Sequence, residues 1–406
     1  MRIAYFLADH GIPVFGDKGA SVHVRAIVDA FLELGHEVTI FCTKEGTPPE
    51  QGGYQIVKVV GAAEAVPADI DESDPLAHRR AKERRYMASA GAMERAFSSA
   101  HEEQAFDFIY ERYSLWSAAA INCAERYRIP SIIEVNSPLL EEQKKYRVLA
   151  NANEASEIEN KVFRHAGLIL AVSEAVADYV SRRGGRSTRI VVMSNAVDER
   201  RFHPRVRPVP LGYAKGKCII GFCGTLKEWH GVDILMDGFR ELNKRHAGVH
   251  LLIMGDGPMR HWLEGYIQGA DLAGKVTLSG WVNHDGIPAM LARCDILVAP
   301  YPDLDDFYFS PLKLFEYLAL GKSVVASDIG QIGDIIEHGQ TGLLAKAGDS
   351  LALADALERL IIDSSLRQHL GNNAAVYASR YTWKSNAQRV LDLANGLKID
   401  IEDQSR

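Results

Sequence analysis

Ile3-Ala4-Tyr5-Phe6-Leu7-Ala8 is a short apolar run. Val24, Ile27, Val28 and Phe31 follow at helical spacing, Gly35 stops the helix, and Glu37-Val38-Thr39-Ile40-Phe41-Cys42 is a second apolar run. Strand, helix, strand in so few residues is the unit from which parallel sheets are built. The same alternation continues outward. Further strand candidates in the first half are Gln55–Val60, Phe108–Tyr110, Ser131–Val135, Leu168–Val172 and Ile190–Met193, with a charged, mostly helical stretch from about Ala62 to Glu103. Arg200–Lys217 has three prolines and few apolar residues and reads as a linker. A second series follows: Cys218–Cys223, His250–Met254, Val276–Ser279, Ile296–Ala299 and Ser323–Ser327. The pattern predicts an α/β protein with two doubly wound, Rossmann-like domains facing across a cleft, with ligands at the carboxyl ends of the strands. The expected division is residues 1–200, residues 201–384, and a helix over 385–406.

The 406 residues exceed one ordinary core, and 47% apolar with 24% charged residues is a globular balance. A formal charge of −7 with no long basic stripe argues against nucleic acid as a partner. The cysteines, at 42, 123, 218, 223 and 294, form no CxxC pair and no zinc-like cluster, which fits a reducing compartment. The opening residues are too quickly polar for a signal peptide, and no run of about 18 apolar residues occurs, so a cytoplasmic location is expected. Arg79, Arg80, Lys82, Arg84 and Arg85 cluster on one predicted helix. They could meet an anionic membrane surface as a peripheral contact, although acidic neighbours favour a solvated face.

Three loops carry chemistry. In Ser310-Pro311-Leu312-Lys313-Leu314-Phe315-Glu316, Ser310 is suited to cap a helix and Pro311 to begin it. The helix's free N–H groups favour an anion, and Lys313 in the first turn, unfavourable beside the positive dipole end, is explained by a phosphate. Glu316 lies on the same face and could accept bonds from a ribose diol; the plain alternative is a Lys313–Glu316 surface pair. In Gly221-Phe222-Cys223-Gly224-Thr225-Leu226-Lys227-Glu228-Trp229-His230-Gly231-Val232, a strand enters a glycine turn before a helix, with Thr225, Lys227 and His230 as donors to a diphosphate. Asp17-Lys18-Gly19-Ala20-Ser21 repeats that arrangement in the first domain. Neither glycine turn is GxGxxG, and Gly255-Asp256-Gly257-Pro258 and Gly280-Trp281-Val282 could wall a base pocket or be simple turns.

Taken in order, these segments resemble the retaining glycosyltransferase family 4, with the GT-B fold. The likeness also includes Gly35-His36-Glu37-Val38, Val172-Ser173-Glu174-Ala175 and Asn195-Ala196-Val197-Asp198. The resemblance implies that the C-terminal domain binds a nucleotide-sugar donor and the N-terminal domain an acceptor. It implies that Glu316 holds the ribose, that backbone at Pro311 and Leu312 meets the diphosphate-sugar, and that Gly255 and Gly280–Val282 lie at the nucleotide. Gly19 would lie near the donor, and the last helix would return to the first domain.

Four positions depart from the family pattern. Tyr308 stands where a sugar-binding glutamate is usual, with Asp305 or Asp306 as possible substitutes. Thr225 and His230 replace an arginine and a lysine, which leaves His230 and Lys313 as the expected phosphate ligands. Asn136 replaces a catalytic histidine and could hydrogen-bond the sugar without acting as a base. The expected reaction is metal-independent transfer of a hexose, UDP-sugar favoured, to a hydroxyl of a glycan, lipid-linked or small-molecule acceptor in polysaccharide biosynthesis. Asp303-Leu304-Asp305 has the letters of a DxD metal motif but no suitable flanking ligands, and no cofactor beyond the nucleotide-sugar substrate is implied. The rival readings are a sugar-nucleotide epimerase of related fold and a non-catalytic nucleotide-sugar binder.

Overall fold

The computed structural model describes residues 1–48, 53–59, 73–212 and 215–404. The end of the expected strand at Val60, the start of the helical stretch at 62–72 and two linker residues lie outside them. The chain divides into two compact units, Met1–Ser194 with Trp383–Arg406, and Asn195–Thr382.

The first unit holds seven parallel strands: β1 (Arg2–Leu7), β2 (Glu37–Cys42), β3 (Gln55–Lys58), β4 (Phe108–Arg112), β5 (Ser131–Val135), β6 (Leu168–Ala171) and β7 (Ile190–Val192). Their order is β3-β2-β1-β4-β5-β6-β7, so the winding reverses between β1 and β4. Helices on both faces explain why β1 and β6 are apolar almost throughout rather than alternating. Strand β4 runs to Arg112, beyond the expected Tyr110, because Glu111 turns into the interior. Burial pushes its carboxyl well above the usual range. The helix Trp383–Gln404 packs on the helix Gly19–Glu33 and buries Trp383, Ala387, Val390, Leu391 and Ala394, one face at helical spacing.

The second unit holds β8 (Cys218–Cys223), β9 (Val249–Met254), β10 (Val276–Gly280), β11 (Ile296–Ala299), β12 (Ser323–Asp328) and β13 (Leu343–Lys346), ordered β10-β9-β8-β11-β12-β13 and all parallel. The sequence pattern misses β13. It is a four-residue edge strand without a β-branched residue, and only β12 gives it register. The winding reverses between β8 and β11, which places the loop after β8 at the crevice where such sheets bind ligands.

Of the five basic residues expected to cluster, Arg79 bonds Glu83 at 2.8 Å and Arg80 pairs with Asp74. Lys82, Arg84 and Arg85 are exposed. Among the described residues, no helix is long and apolar enough to cross a membrane.

Candidate active site

The site forms at the carboxyl edge of the second sheet, where the turns after β8, β9 and β10 are knit by backbone bonds. Gly224 N donates to Met254 O, Gly255 N to Gly280 O, and Leu226 N to Asp256 O. Facing them, the helix Leu312–Ala319 buries Leu314, Phe315, Tyr317 and Leu318 in the core. The Tyr317 hydroxyl accepts from Cys223 N at 2.8 Å, which ties this helix to the end of β8.

The helix does not start as its sequence suggests. Pro311, not Ser310, is the N-cap residue, and no side chain caps the first turn. Ser310 is recruited elsewhere: its Oγ accepts from Asn195 N at 3.1 Å and its carbonyl from Asn195 Nδ2 at 2.6 Å. The first N–H groups are therefore left for another acceptor.

Lys313 projects from that turn. Its Nζ is buried and has no hydrogen-bond partner among the described residues. It sits 4.5 Å above the Phe222 ring and 5.5 Å from the Tyr301 ring. The alternative of a simple pair with Glu316 does not form. Burial lowers the Lys313 pKa to about 8, with Cys223 and Glu316 opposing the fall. The ammonium is thus still charged at neutral pH, in a place that offers it two rings and, among the described residues, no hydrogen-bond partner. Gly224 makes room for it, since a Cβ there would lie 2.7 Å from Nζ.

His230 differs from expectation. It follows the short turn Glu228–His230, and Gly231, at φ +65, then opens the helix Val232–Arg245. A Cβ at Gly231 would lie 1.5 Å from Pro300 O, so only glycine permits this approach. His230 Nδ1 donates to the Thr225 carbonyl, which can only accept, so Nε2 carries the lone pair. Burial and then the neighbouring Lys313 lower its pKa to about 3. His230 is therefore neutral, and Lys313 beside it carries positive charge. Thr225 is exposed, and Lys227 Nζ lies 4.4 Å over the Trp229 ring.

Glu316 is 16% exposed and faces His284, whose Nε2 lies 3.7 Å from Oε1. Arg201 donates to His284 Nδ1 and to the His284 carbonyl, leaving Nε2 as the protonated nitrogen toward Glu316. Neither Arg201 nor His284 was legible as part of the site, because their contact spans 83 residues and has no local pattern. Tyr301 and the role of the Phe222 ring were not singled out in the sequence. At the end of β10, Gly280 has φ +71 and Trp281 is 59% exposed, a large apolar surface beside the partly buried Val282. Tyr308 packs its ring on Phe309 at 4.4 Å, while Asp305 and Asp306 are exposed. Pro311 is buried and Leu312 half-buried at the helix start.

In the first unit, Gly19 is the exposed first residue of its helix, and no side chain caps that turn. Asn136 follows β5 and is half-buried.

Comparison with known proteins identifies the family and the fold. Residues 217–363 match the family described as "Glycosyl transferases group 1", and residues 18–196 match the "Glycosyl transferase 4-like domain". A D-inositol 3-phosphate glycosyltransferase of Paenarthrobacter aurescens is 27% identical over 95% of this chain and 96% of that protein. An alpha-D-kanosaminyltransferase of Streptomyces kanamyceticus is 30% identical, over 40% of this chain and 42% of that one. Among solved structures, Anabaena HepE in complex with UDP-glucose aligns at TM-score 0.71 and 20% identity, covering 98% of this chain and 100% of that one. Sucrose-phosphate synthase of Thermosynechococcus elongatus aligns at 0.69 and 19%, covering 98% of each. With both units matched in order and the whole chain aligned with these structures, the chain belongs to the GT4-like group 1 glycosyltransferases and has their two-domain GT-B fold.

Proposed function

We propose that this glycosyltransferase moves a hexose from a UDP-sugar to a hydroxyl of a glycan, lipid-linked or small-molecule acceptor, with retention at the anomeric carbon. The observation that carries the reading is the buried, unpartnered ammonium of Lys313 beside an uncapped helix start. Together they suit a diphosphate leaving group. HepE, of the same fold, binds UDP and UDP-glucose.

In this reading the second unit takes the donor. Lys313 and the N–H groups following Pro311 and Leu312 meet the diphosphate, Glu316 accepts from the ribose, and Trp281 offers a face to the base. Neutral His230 accepts a hydrogen bond from a sugar hydroxyl through Nε2. The C1–oxygen bond to the diphosphate breaks with its electron pair leaving on oxygen. The acceptor hydroxyl oxygen bonds to C1 on the same face, and its proton passes to the departing oxygen. The anion is stabilised by protein donors, so turnover is expected to survive EDTA and to need no cofactor. A cytoplasmic setting in polysaccharide biosynthesis follows from this reading, with Lys82, Arg84 and Arg85 as the cations available to an anionic lipid surface. The relatives are transferases, which disfavours the epimerase and the non-catalytic binder.

Thermal shift against UDP, GDP and ADP, then against their sugars, identifies the donor, because a preferred ligand raises the melting temperature by mass action. NMR of the product then gives the anomer. An inverted anomer overturns retention, and no shift with any nucleotide overturns the site.

A further inference from the structure

Glu316 is backed by a chain of side chains that all belong to the second unit. Among the described residues, the ionisable group within ion-pair range of it is His284, with Nε2 3.7 Å from Oε1. The His284 ring is held from behind. Arg201 donates to Nδ1, to the His284 carbonyl at 2.7 Å and to Asp285 Oδ1 at 3.1 Å. Arg201 is fixed in turn, because Arg201 N and Phe202 N both donate to Asp198 O and Phe202 is buried in the core. On the other side, Asp285 N donates to Asn283 Oδ1 and Gly286 N to Asn283 O, which shapes the short turn His284–Gly286.

These contacts decide what Glu316 faces. An arginine can only donate, so Nδ1 accepts and the ring proton sits on Nε2, toward the carboxylate. The 3.7 Å spacing is wider than a hydrogen bond, and contacts of this kind tighten when a ligand arrives. A glutamate with several rotatable bonds loses rotamer freedom when it binds, and that loss is subtracted from affinity. A donor already facing one oxygen removes part of the loss beforehand. It leaves the second oxygen, with its own lone pairs, to another donor.

We infer that Arg201 and His284 are positioning residues for nucleotide recognition. Arg201 holds the His284 ring, the ring's Nε2–H takes Oε1 of Glu316, and Oε2 is presented to the ribose hydroxyls. Neither residue touches the nucleotide; both act through Glu316. The inference rests on the reading that Glu316 meets the ribose. It adds that the carboxylate is placed in advance by residues 83 positions apart in the chain.

Calorimetry on the full chain, with UDP and with a dideoxy-UDP that lacks both ribose hydroxyls, tests this. The wild type should favour UDP by about tenfold or more, since hydroxyls that meet a charged acceptor are worth that much. His284→Leu should cut the preference by about fivefold while dideoxy-UDP binds as before. His284→Gln, whose amide N–H reaches the place of Nε2–H, should restore most of it. Arg201→Ala leaves His284 in place but releases its ring, so it should lower the preference too, even if His284→Leu folds poorly. A merely structural role would weaken both nucleotides alike. That result, or a preference unchanged in both His284→Leu and Arg201→Ala, would overturn the inference. Glu316→Ala tests the reading beneath it. If Glu316→Ala abolishes the preference and the positioning variants do not, only the present inference fails. If Glu316→Ala leaves the preference intact, or the wild type shows none, the ribose does not lie at Glu316 and both fall.

Discussion

Replacing Lys313 with methionine should make the ligand-free protein more stable and the enzyme worse. Burial takes the Lys313 pKa from 10.5 to about 8, and at about 1.4 kcal/mol per pH unit that fall costs about 3 kcal/mol while the group is charged. The Phe222 and Tyr301 rings, 4.5 and 5.5 Å from Nζ, return about 1 kcal/mol through cation–π attraction. Methionine keeps most of the stem and suits an aromatic pocket. The expected net gain is about 2 kcal/mol at pH 7. Its pH dependence has a definite sign. A lysine whose folded pKa is depressed binds fewer protons folded than unfolded between about 8 and 10.5, so the wild type gains stability as pH rises through that window. The advantage of Lys313→Met is therefore full below pH 8 and disappears toward pH 10.5. Urea unfolding followed by tryptophan fluorescence, at pH 7 and pH 10, measures it; Trp229, Trp262 and Trp281 all lie in the second unit. UDP affinity by calorimetry should fall by about tenfold or more, since the variant removes a buried cation that lacks a hydrogen-bond partner. A variant less stable than wild type at pH 7, with unchanged UDP affinity, would refute the reasoning.

Other consequences follow from the same geometry. Gly224→Ala puts a Cβ 2.7 Å from Lys313 Nζ on a backbone at φ +156, so UDP affinity should fall several-fold and stability should fall with it, as calorimetry beside thermal melting would show. Gly231→Ala instead meets Pro300 O at 1.5 Å with φ at +65, and should destabilise by about 3 kcal/mol or more in chemical denaturation. Glu316→Gln should reduce turnover by about tenfold while leaving Lys313 in place; unchanged kinetics would remove Glu316 from the ribose. His230, held near a pKa of about 3 by burial and Lys313, should stay neutral in the free protein from pH 8 down to pH 5, and its ring NMR shifts in that range should not move.

Much of the fold is legible because its strands are local apolar runs. Ile3–Ala8 and Glu37–Cys42 announce two neighbours of the first sheet, and Gly35 marks the helix stop between them. Where the reading stops short, a charged residue turns inward, as Glu111 does, or an edge strand such as Leu343–Lys346 lacks β-branched residues. The site is legible where backbone makes it: the turn after Cys223 and the helix start near Pro311 do lie together at one sheet edge. The electrostatics were not legible. Ser310 resembles a cap by residue type but is taken by Asn195, 115 residues away. His230 resembles a phosphate ligand by residue type, but burial and then the neighbouring Lys313 push its pKa far down. The His23–Glu134 contact spans 111 residues. Such pairings depend on the tertiary structure, and no spacing rule reports them.

The most direct test is a crystal of the protein soaked with UDP. The diphosphate should lie within hydrogen-bond distance of Lys313 Nζ and of the first N–H groups of the helix Leu312–Ala319, with the ribose at Glu316. A diphosphate bound elsewhere, with Lys313 still facing only its two rings, would contradict the account.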